Sequence, residues 1–475
     1  MTKNNIKKIV FVNPPMRIEN VYGELSEWGS VSPPTGLCYL AAFLRNKNYD
    51  VDIIDAEALH WDIDQTTKAV FEKKPDLVGL SCKTLWVVSA HNVAKALKKE
   101  QPDLRVIGGG HHVTSLPEKS LKEFPYFDAI IMGEGELTLF DYIQASNNGR
   151  DLSTVNGLAY RYGDNVLVNP RREELLDINS LPKPAFDLLP NLSTYYFPSL
   201  INARRLPAFP LITSRGCPFQ CAFCDRSVFK NKTRIPTAEY TFSIIEDLYK
   251  NYDMRHLLFD DDNILINKKI FYHLLALIKN AGLDISFTCQ SRVNTIDDEM
   301  LKALKSAGCW QLMFGIESGS QKMLDAMKKG ITLQQIRNAI SKTRRVGIKT
   351  YGMFMIGFPG ETEETLKETE EFIKTLKLDD MACFLFTPLP GSEIYDNINK
   401  YGYYREDWEK GNSMEDVLFI PNGLTEEIMK QYLEKFDNAC YRNFRQIIHL
   451  PSRFSSFAHI KATLKSIPKV MFSAK

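Results

Sequence analysis

Ala208-Phe209-Pro210-Leu211-Ile212-Thr213-Ser214-Arg215-Gly216-Cys217-Pro218-Phe219-Gln220-Cys221-Ala222-Phe223-Cys224 is an apolar, strand-like run, a glycine breaker and three thiols spaced CxxxCxxC. Thiolates are soft ligands that select iron–sulfur clusters or zinc. A structural zinc site wants a fourth Cys or His at matched spacing. The chain has no second CxxC pair, and His256 and Cys289, the nearest later candidates, are isolated. A disulfide reading leaves an odd thiol among the three. Three ligands on a four-iron cluster leave one iron open to the amine and carboxylate of a small molecule, so Cys217, Cys221 and Cys224 read as metal ligands.

The segment that follows repeats strand-plus-helix units. Strands are expected at 208–213, 256–259, 284–289, 311–315, 350–356 and 382–386, with helices near 239–251, 268–279, 297–305, 333–346 and 363–376. Six units are too few for a closed eight-stranded barrel and suit an incomplete one, with reactive groups at the carboxyl ends of the strands. The thiols follow the first strand. Later strand ends carry Asp260-Asp261-Asp262-Asn263, Ser291-Arg292, Gly315-Ile316-Glu317-Ser318-Gly319, Gly352 to Gly360 (GMFMIGFPG) and Pro388-Leu389-Pro390-Gly391-Ser392.

CxxxCxxC followed by these strand ends in this order resembles the radical S-adenosylmethionine (SAM) superfamily. The resemblance implies a [4Fe-4S] cluster on Cys217, Cys221 and Cys224 that cleaves SAM to a 5′-deoxyadenosyl radical, which takes hydrogen from an unreactive carbon. By the same resemblance Asp261 or Asp262 holds the SAM ammonium group, Arg292 pairs with its carboxylate, Glu317 of the GxES motif accepts from its amine or ribose, and the segment around Gly357 lies on the adenine. An electron donor such as flavodoxin or ferredoxin is the implied partner. Phe219 and Phe223, between the cysteines, serve as cluster shields or as plain packing.

Upstream, apolar runs at 9–12, 51–54, 77–80, 105–107 and 129–132 alternate with helical patterns. That alternation predicts a parallel, doubly wound sheet whose ligands bind at the strands' carboxyl ends. The loops there read Asn13-Pro14-Pro15, Ser81-Cys82-Lys83-Thr84, Gly108-Gly109-Gly110-His111-His112 and Gly133-Glu134-Gly135-Glu136. Such loops also serve as ordinary tight turns. Ser81 followed by Gly108-Gly109 resembles the second half of a cobalamin-binding motif, and Glu134 joins that ligand set. The first half, DxHxxG, is absent; Asn13-Pro14-Pro15 and a loop to Pro34 stand in its place. Cobalamin is therefore expected without that histidine below cobalt. His111 and His112 are nearby, and read as polar loop residues. Tyr22-Gly23 through Ser32-Pro33-Pro34-Thr35-Gly36-Leu37 resembles the same cobalamin-dependent branch.

The expected architecture is α/β. A Rossmann- or flavodoxin-like cobalamin-binding domain (1–150) leads through a hairpin and Pro-rich linker (151–193) to an incomplete (β/α)6 radical SAM barrel (194–404). A small, mostly helical C-terminal region with a basic tail (405–475) follows. Thr425 is the expected cap of a helix to about 443. From Tyr441 onward the chain carries Arg442, Arg445, Arg453, Lys461, Lys465, Lys469 and Lys475 and no acidic residue, with phenylalanines interleaved. This tail reads either as a solvated face or as a contact with an anionic membrane or lipid-like substrate. A net charge of +1 argues against a nucleic-acid partner. No apolar run is long enough to cross a membrane, and nine scattered Cys without a signal-peptide pattern point to the cytoplasm.

The function implied by the resemblance is methylation of an unactivated carbon of a small-molecule or lipid-like substrate, with a cobalamin-borne methyl group restored from a second SAM. One alternative is a non-methylating cyclase or oxidase of the anaerobic magnesium-protoporphyrin ester cyclase type. Another, of a different class, is a non-catalytic cobalamin-binding module with a structural metal. Methylthiolation is disfavoured, because that chemistry uses a second cluster on three N-terminal cysteines and only Cys38 and Cys82 precede the triplet.

Overall fold

The computed structural model describes residues 5–16, 30–199, 201–410 and 416–441. Its first sheet comprises β1 (Lys8–Asn13), β2 (Asp50–Asp55), β3 (Leu77–Ser81), β4 (Arg105–Gly109), β5 (Ala129–Ile131), β6 (Leu158–Tyr162) and β7 (Asn165–Val168) in the order β2-β1-β3-β4-β5-β6-β7. Pairing is parallel through β5. The runs KIVFVN and LVGLS are almost wholly buried, as parallel strands covered on both faces must be. The chain passes from β1 to β2 on one side and to β3 on the other, so the order reverses between β1 and β3 and opens a ligand crevice there. The hairpin expected as part of the linker instead adds β6 and β7 antiparallel to this sheet, because Leu158, Ala159 and Tyr160 find buried places beside β5.

The second sheet is β8 (Ala208–Leu211), β9 (His256–Phe259), β10 (Ser286–Ser291), β11 (Cys309–Glu317), β12 (Lys349–Ile356) and β13 (Asp380–Leu385), all parallel, with each strand beside its predecessor. It is a half-barrel: β8 and β13 do not meet. Edge position explains how β8 tolerates Pro210. The outer helices follow from the apolar spacing. In Leu333–Arg345 the buried Ile336, Ala339, Ile340 and Thr343 form one stripe, with a Thr332/Gln335 capping box at its start and Lys342, Arg344 and Arg345 at the negative end.

In the described part of the C-terminal region, a ribbon of β14 (Gly402–Tyr404) and β15 (Phe419–Pro421) precedes the helix Glu426–Tyr441. Thr425 Oγ1 caps that helix through Ile428 N at 3.3 Å. The helix packs on β13 and on the helix Glu363–Thr375, covering the sheet edge. Its Met429, Tyr432 and Phe436 are fully buried, worth about 1.5–3 kcal/mol each. The basic residues from Arg442 onward, and most of the loop between Met16 and Pro34, lie outside the described residues.

Candidate active site

The cysteine loop leaves β8 and is closed at its base by paired backbone: Arg215 N–H donates to Arg234 O at 2.9 Å and Arg234 N–H to Arg215 O at 3.0 Å. Gly216 sits at φ +83°, where a Cβ would lie 2.2 Å from Lys232 O, so only glycine can open the loop here. Cys217 is half-buried, Cys221 is buried and Cys224 is exposed. Burial pushes the Cys217 thiol above its usual range against a hydrogen bond from Phe219 N–H, with Asp262 and Cys221 adding to the rise and Arg292 opposing it.

Among the described residues no three Cys, His, Asp or Glu side chains converge as a metal cage. The thiols share one loop and feel one another's charge, and ligation would draw them together with loss of their protons. The donor set fits an iron–sulfur cluster: three soft sulfurs and unpartnered buried N–H groups on Arg292 (Nε) and Asn263 (Nδ2) at adjoining strand ends.

Arg292, at the end of β10, is buried. Its guanidinium stacks on Phe219 at 3.9 Å, reaches Cys221 Sγ at 3.4 Å and donates to Lys329 O. Glu317 ends β11 at φ +68°, after a register shift between Gly315 and Glu317 that re-aims its side chain. Its Oε1 receives Lys329 Nζ at 2.6 Å, with both side chains nearly buried. Lys329 also lies 5.6 Å over Phe223. Arg292, Glu317 and the cysteine loop, the positions that the resemblance assigns to the cofactors, thus come together around Lys329, which the sequence reading missed for lack of a motif.

The acidic run after β9 divides. Asp261 is buried and fully engaged: Oδ1 accepts from Thr213 N at 2.9 Å and from Ser214 N and Oγ at 2.5 Å each, and Oδ2 accepts from Thr213 Oγ1 at 3.0 Å. Burial lifts it to about 6 in spite of those bonds. It ties β9 to the start of the cysteine loop, while Asp262 is exposed beside the thiols. Gly357 (φ +89°) has its Cα face filled by Met429, whose Cε would lie 2.4 Å from a Cβ. Its N–H donates to Glu361, which is wholly buried with Oε1 unpartnered and is pushed by that burial to about 8.

At the crevice of the first sheet, Ser81 lies in register with Gly109, and a Cβ on Gly109 would meet nothing nearer than Ile131 O at 3.9 Å. Thr84 Oγ1 and Asn13 Oδ1 are buried there without partners. An open glycine face and orphaned polar atoms at a switch point fit the amide-fringed edge of a corrinoid. Gly108 packs against Cys82. His111 Nε2 accepts from Thr84 N at 3.2 Å. His112 is no loop residue: it is buried edge-on against Trp408 at 4.7 Å, and burial drops it to about 3. Residues 14–34 contain no histidine. Glu134 is engaged elsewhere, by Arg215 Nη1 at 2.5 Å and by Arg234 Nη2, while Glu136 takes Arg215 Nη2 at 2.6 Å. A buried acid pair also went unread. Asp55 and Glu57 share Asn13 Nδ2 (2.8 and 3.0 Å); Asp55 also accepts from Tyr196 OH at 2.8 Å and Ala58 N at 3.2 Å, and Glu57 from Trp86 Nε1 at 3.2 Å.

A thiol-bearing half-barrel joined to a doubly wound sheet with an open crevice defines a two-cofactor radical enzyme. Residues 211–373 match the radical SAM superfamily and residues 25–142 the B12 binding domain. The chain is 35% identical over 429 residues, 90% of each protein, to an uncharacterized methyltransferase of Pyrococcus horikoshii. It is 29% identical to the anaerobic magnesium-protoporphyrin IX monomethyl ester cyclase of Rubrivivax gelatinosus, over 97% of this chain and 82% of that one. Its fold is that of the radical SAM methyltransferase TsrM from Kitasatospora setae, solved with cobalamin and a [4Fe-4S] cluster (TM-score 0.68, 17% identity, 91% of this chain and 81% of that one). It is shared too by the cobalamin-dependent radical enzyme OxsB (TM-score 0.67, 22% identity, 82% and 55%). The chain belongs to the radical SAM superfamily, in the branch that carries a B12-binding domain. It is a cobalamin-dependent radical SAM enzyme whose cofactors are a [4Fe-4S] cluster, SAM and cobalamin.

Proposed function

We propose that the enzyme methylates an unactivated carbon of a small molecule with a largely apolar, lipid-like face. One observation carries the reading: the loops that would hold the two cofactors interlock. Ser227 Oγ, in the cysteine loop, donates to His111 O at 3.3 Å, and Ser115 Oγ donates to Pro390 O, after β13, at 3.1 Å. Both carboxyl-end faces therefore open on common ground.

When bound, the reduced cluster supplies the electron that splits SAM, and cobalamin supplies the methyl group. The chain's own residues place and shield the reactants. Arg292, fixed by Phe219 and Lys329 O, is set to pair with the SAM carboxylate. Glu317 gives Oε1 to Lys329, leaving Oε2 for the nucleotide's amine or ribose. Asp262 and Gly357 complete the assigned SAM contacts, while Ser81, Gly108 and Gly109 line the corrinoid side. Strand alternation turns Leu312, Phe314, Phe354, Ile356, Cys383 and Leu385 toward the helices, and leaves Met313, Tyr351, Met353, Ala382 and Phe384 as an apolar wall on the inner face, with Ile201 against it. Such a wall admits an apolar substrate and excludes water. An exposed Cys224 leaves the cluster reachable by a flavodoxin- or ferredoxin-like donor.

The test is anaerobic reconstitution with iron, sulfide and hydroxocobalamin, followed by turnover of CD3-labelled SAM with small-molecule and lipid extracts. Methylation yields S-adenosylhomocysteine with 5′-deoxyadenosine and a labelled product. Deoxyadenosine with an unlabelled, oxidised product would assign the cyclase type of reaction instead. Corrinoid binding without deoxyadenosine would reduce the protein to a binding module.

A further inference from the structure

We infer that Glu134 and Glu136 form, with Arg215 and Arg234, a buried clasp that fixes the spacing between the cluster and cobalamin. The inference rests on the two-cofactor reading and concerns how the chain sets the distance between them.

The clasp joins two loops of separate sheets. Glu134 and Glu136 follow β5, at the carboxyl edge of the first sheet; Arg215 stands two residues before Cys217, and Arg234 closes the far side of the cysteine loop. Both oxygens of Glu134 are used, Oε2 by Arg215 and Oε1 by Arg234, so this carboxylate is spent on arginine rather than held for a ligand. Glu136 takes the second arm of Arg215 at 2.6 Å. Side-chain exposures of 9% and 6% for the glutamates and 13% and 22% for Arg215 and Arg234 put all four charges in a poorly solvated place. There an ion pair tolerates no missing partner.

The backbone explains why the carboxylate belongs to the loop's architecture. Arg215 and Arg234 pair directly across the loop base, which sets two guanidinium groups side by side. Their repulsion would open the base unless an anion stood between them, and Glu134 is that anion. Tyr39, 5.5 Å from the Arg215 guanidinium, and Leu176 O, 2.6 Å from Arg234 Nη1, orient the remaining faces. The base of the cysteine loop is thus complete only when the cobalamin-side loop is docked on it. A small misplacement of reacting groups costs about 10²-fold in rate, so a rigid tie at this point matters to the reaction. Glu134, Glu136, Arg215 and Arg234 are positioning residues; none touches the reacting atoms.

The test uses the holoenzyme carrying a reduced cluster and cob(II)alamin, whose two spins report their separation by electron paramagnetic resonance. Wild type should show cluster-induced broadening and faster relaxation of the cobalt signal. Glu134→Gln and Arg234→Gln should keep bound iron and corrinoid but lose or weaken that broadening, and Arg234→Lys should restore it. Unchanged broadening in both Gln variants overturns the clasp. So does a Glu134→Gln protein that releases corrinoid while Arg234→Gln retains it, because Glu134 would then be a ligand. Hydrogen exchange on the cofactor-free full chain provides the second arm. Glu134→Gln should accelerate exchange in 133–137 and in 216–234 together, and acceleration confined to 133–137 overturns the proposal. A wild-type chain that binds no corrinoid defeats the two-cofactor reading, whereas the exchange arm still decides the clasp.

Discussion

Replacing Glu361 by Gln should flatten the pH dependence of stability in the cobalamin-free, cluster-free chain. Glu361 is wholly buried, one oxygen bonded to Gly357 N–H and the other unpartnered. Burial raises its carboxyl from 4.5 to about 8, so at pH 7 the folded protein holds it protonated. In the unfolded chain it ionises near the ordinary value. Between the two values the folded state binds the extra proton, so stability falls as pH rises, at about 1.4 kcal/mol per unit. The contribution is fully present below the unfolded value and gone above the folded one. From pH 5 to pH 7 the wild type should therefore lose about 2.5 kcal/mol that the Gln variant does not.

Glutamine keeps the acceptor for Gly357 and carries no proton to lose. Urea unfolding at a series of pH values measures both chains. Other buried acids, such as Asp55 and Asp261, titrate alike in each, so the difference isolates position 361. Infrared difference spectra give an independent reading: wild type at pH 7 should show a protonated-carboxyl stretch that the variant lacks. Parallel stability profiles, or an ionised Glu361 at pH 7, would refute the argument.

Cys221→Ala should abolish the cluster's visible absorbance after anaerobic reconstitution and bring 5′-deoxyadenosine to background; retained colour and cleavage would remove the cysteine loop from the chemistry. Gly357→Ala should destabilise the chain by about 2 kcal/mol, from a left-handed backbone and from collision with Met429. Adding Met429→Ala should not restore wild-type stability, because the backbone strain persists; denaturant midpoints decide. Lys329→Met should cost about 3–5 kcal/mol by stranding the buried Glu317 carboxylate. The Lys329→Met/Glu317→Met double variant should be more stable than that single variant, and a double variant as unstable as the sum of the singles would mean that the two residues do not act as a pair.

Both sheets were legible because their strands carry continuous apolar runs and their helices carry 3.6-residue spacing, as in Leu333–Arg345. The cysteine loop after β8 was legible because a CxxxCxxC triplet behind an apolar run is a local pattern. What escaped was long-range. The Leu158–Val168 hairpin alternates in the same way whether it stands free or extends a sheet, and only the buried seat beside β5 decides. Glu134, between two glycines, looks like a ligand-loop carboxylate; its partners Arg215 and Arg234 lie 81 and 100 residues away. His111 and His112 are adjacent in sequence, yet a helical turn sends one to the crevice and the other into the core against Trp408. Lys329 belongs to no motif, and its role comes from the place where β11 ends.

The C-terminal region extends this dependence on distant segments to the active site itself. Edge-to-face aromatic contacts run from Phe223, between two of the cysteines, to Phe358 at 6.5 Å, on to Phe386 at 5.2 Å and then to Phe419 of β15 at 5.7 Å. Met429 closes the same layer against Gly357. On the other side, Trp408 packs on His112 of the first domain, and Lys119 pairs with Glu406. Phe419, Met429, Trp408 and Glu406 therefore touch the cysteine loop's aromatic backing, Gly357 and the helices that carry His112 and Lys119 of the first domain. A parallel half-barrel leaves one flank open, and its carboxyl-end loops meet those of the first sheet at a seam, Ser227 against His111 and Ser115 against Pro390. Phe419 and Met429 pack on the half-barrel while Glu406 and Trp408 pack on the first domain, so the C-terminal segment contacts both sides of that seam.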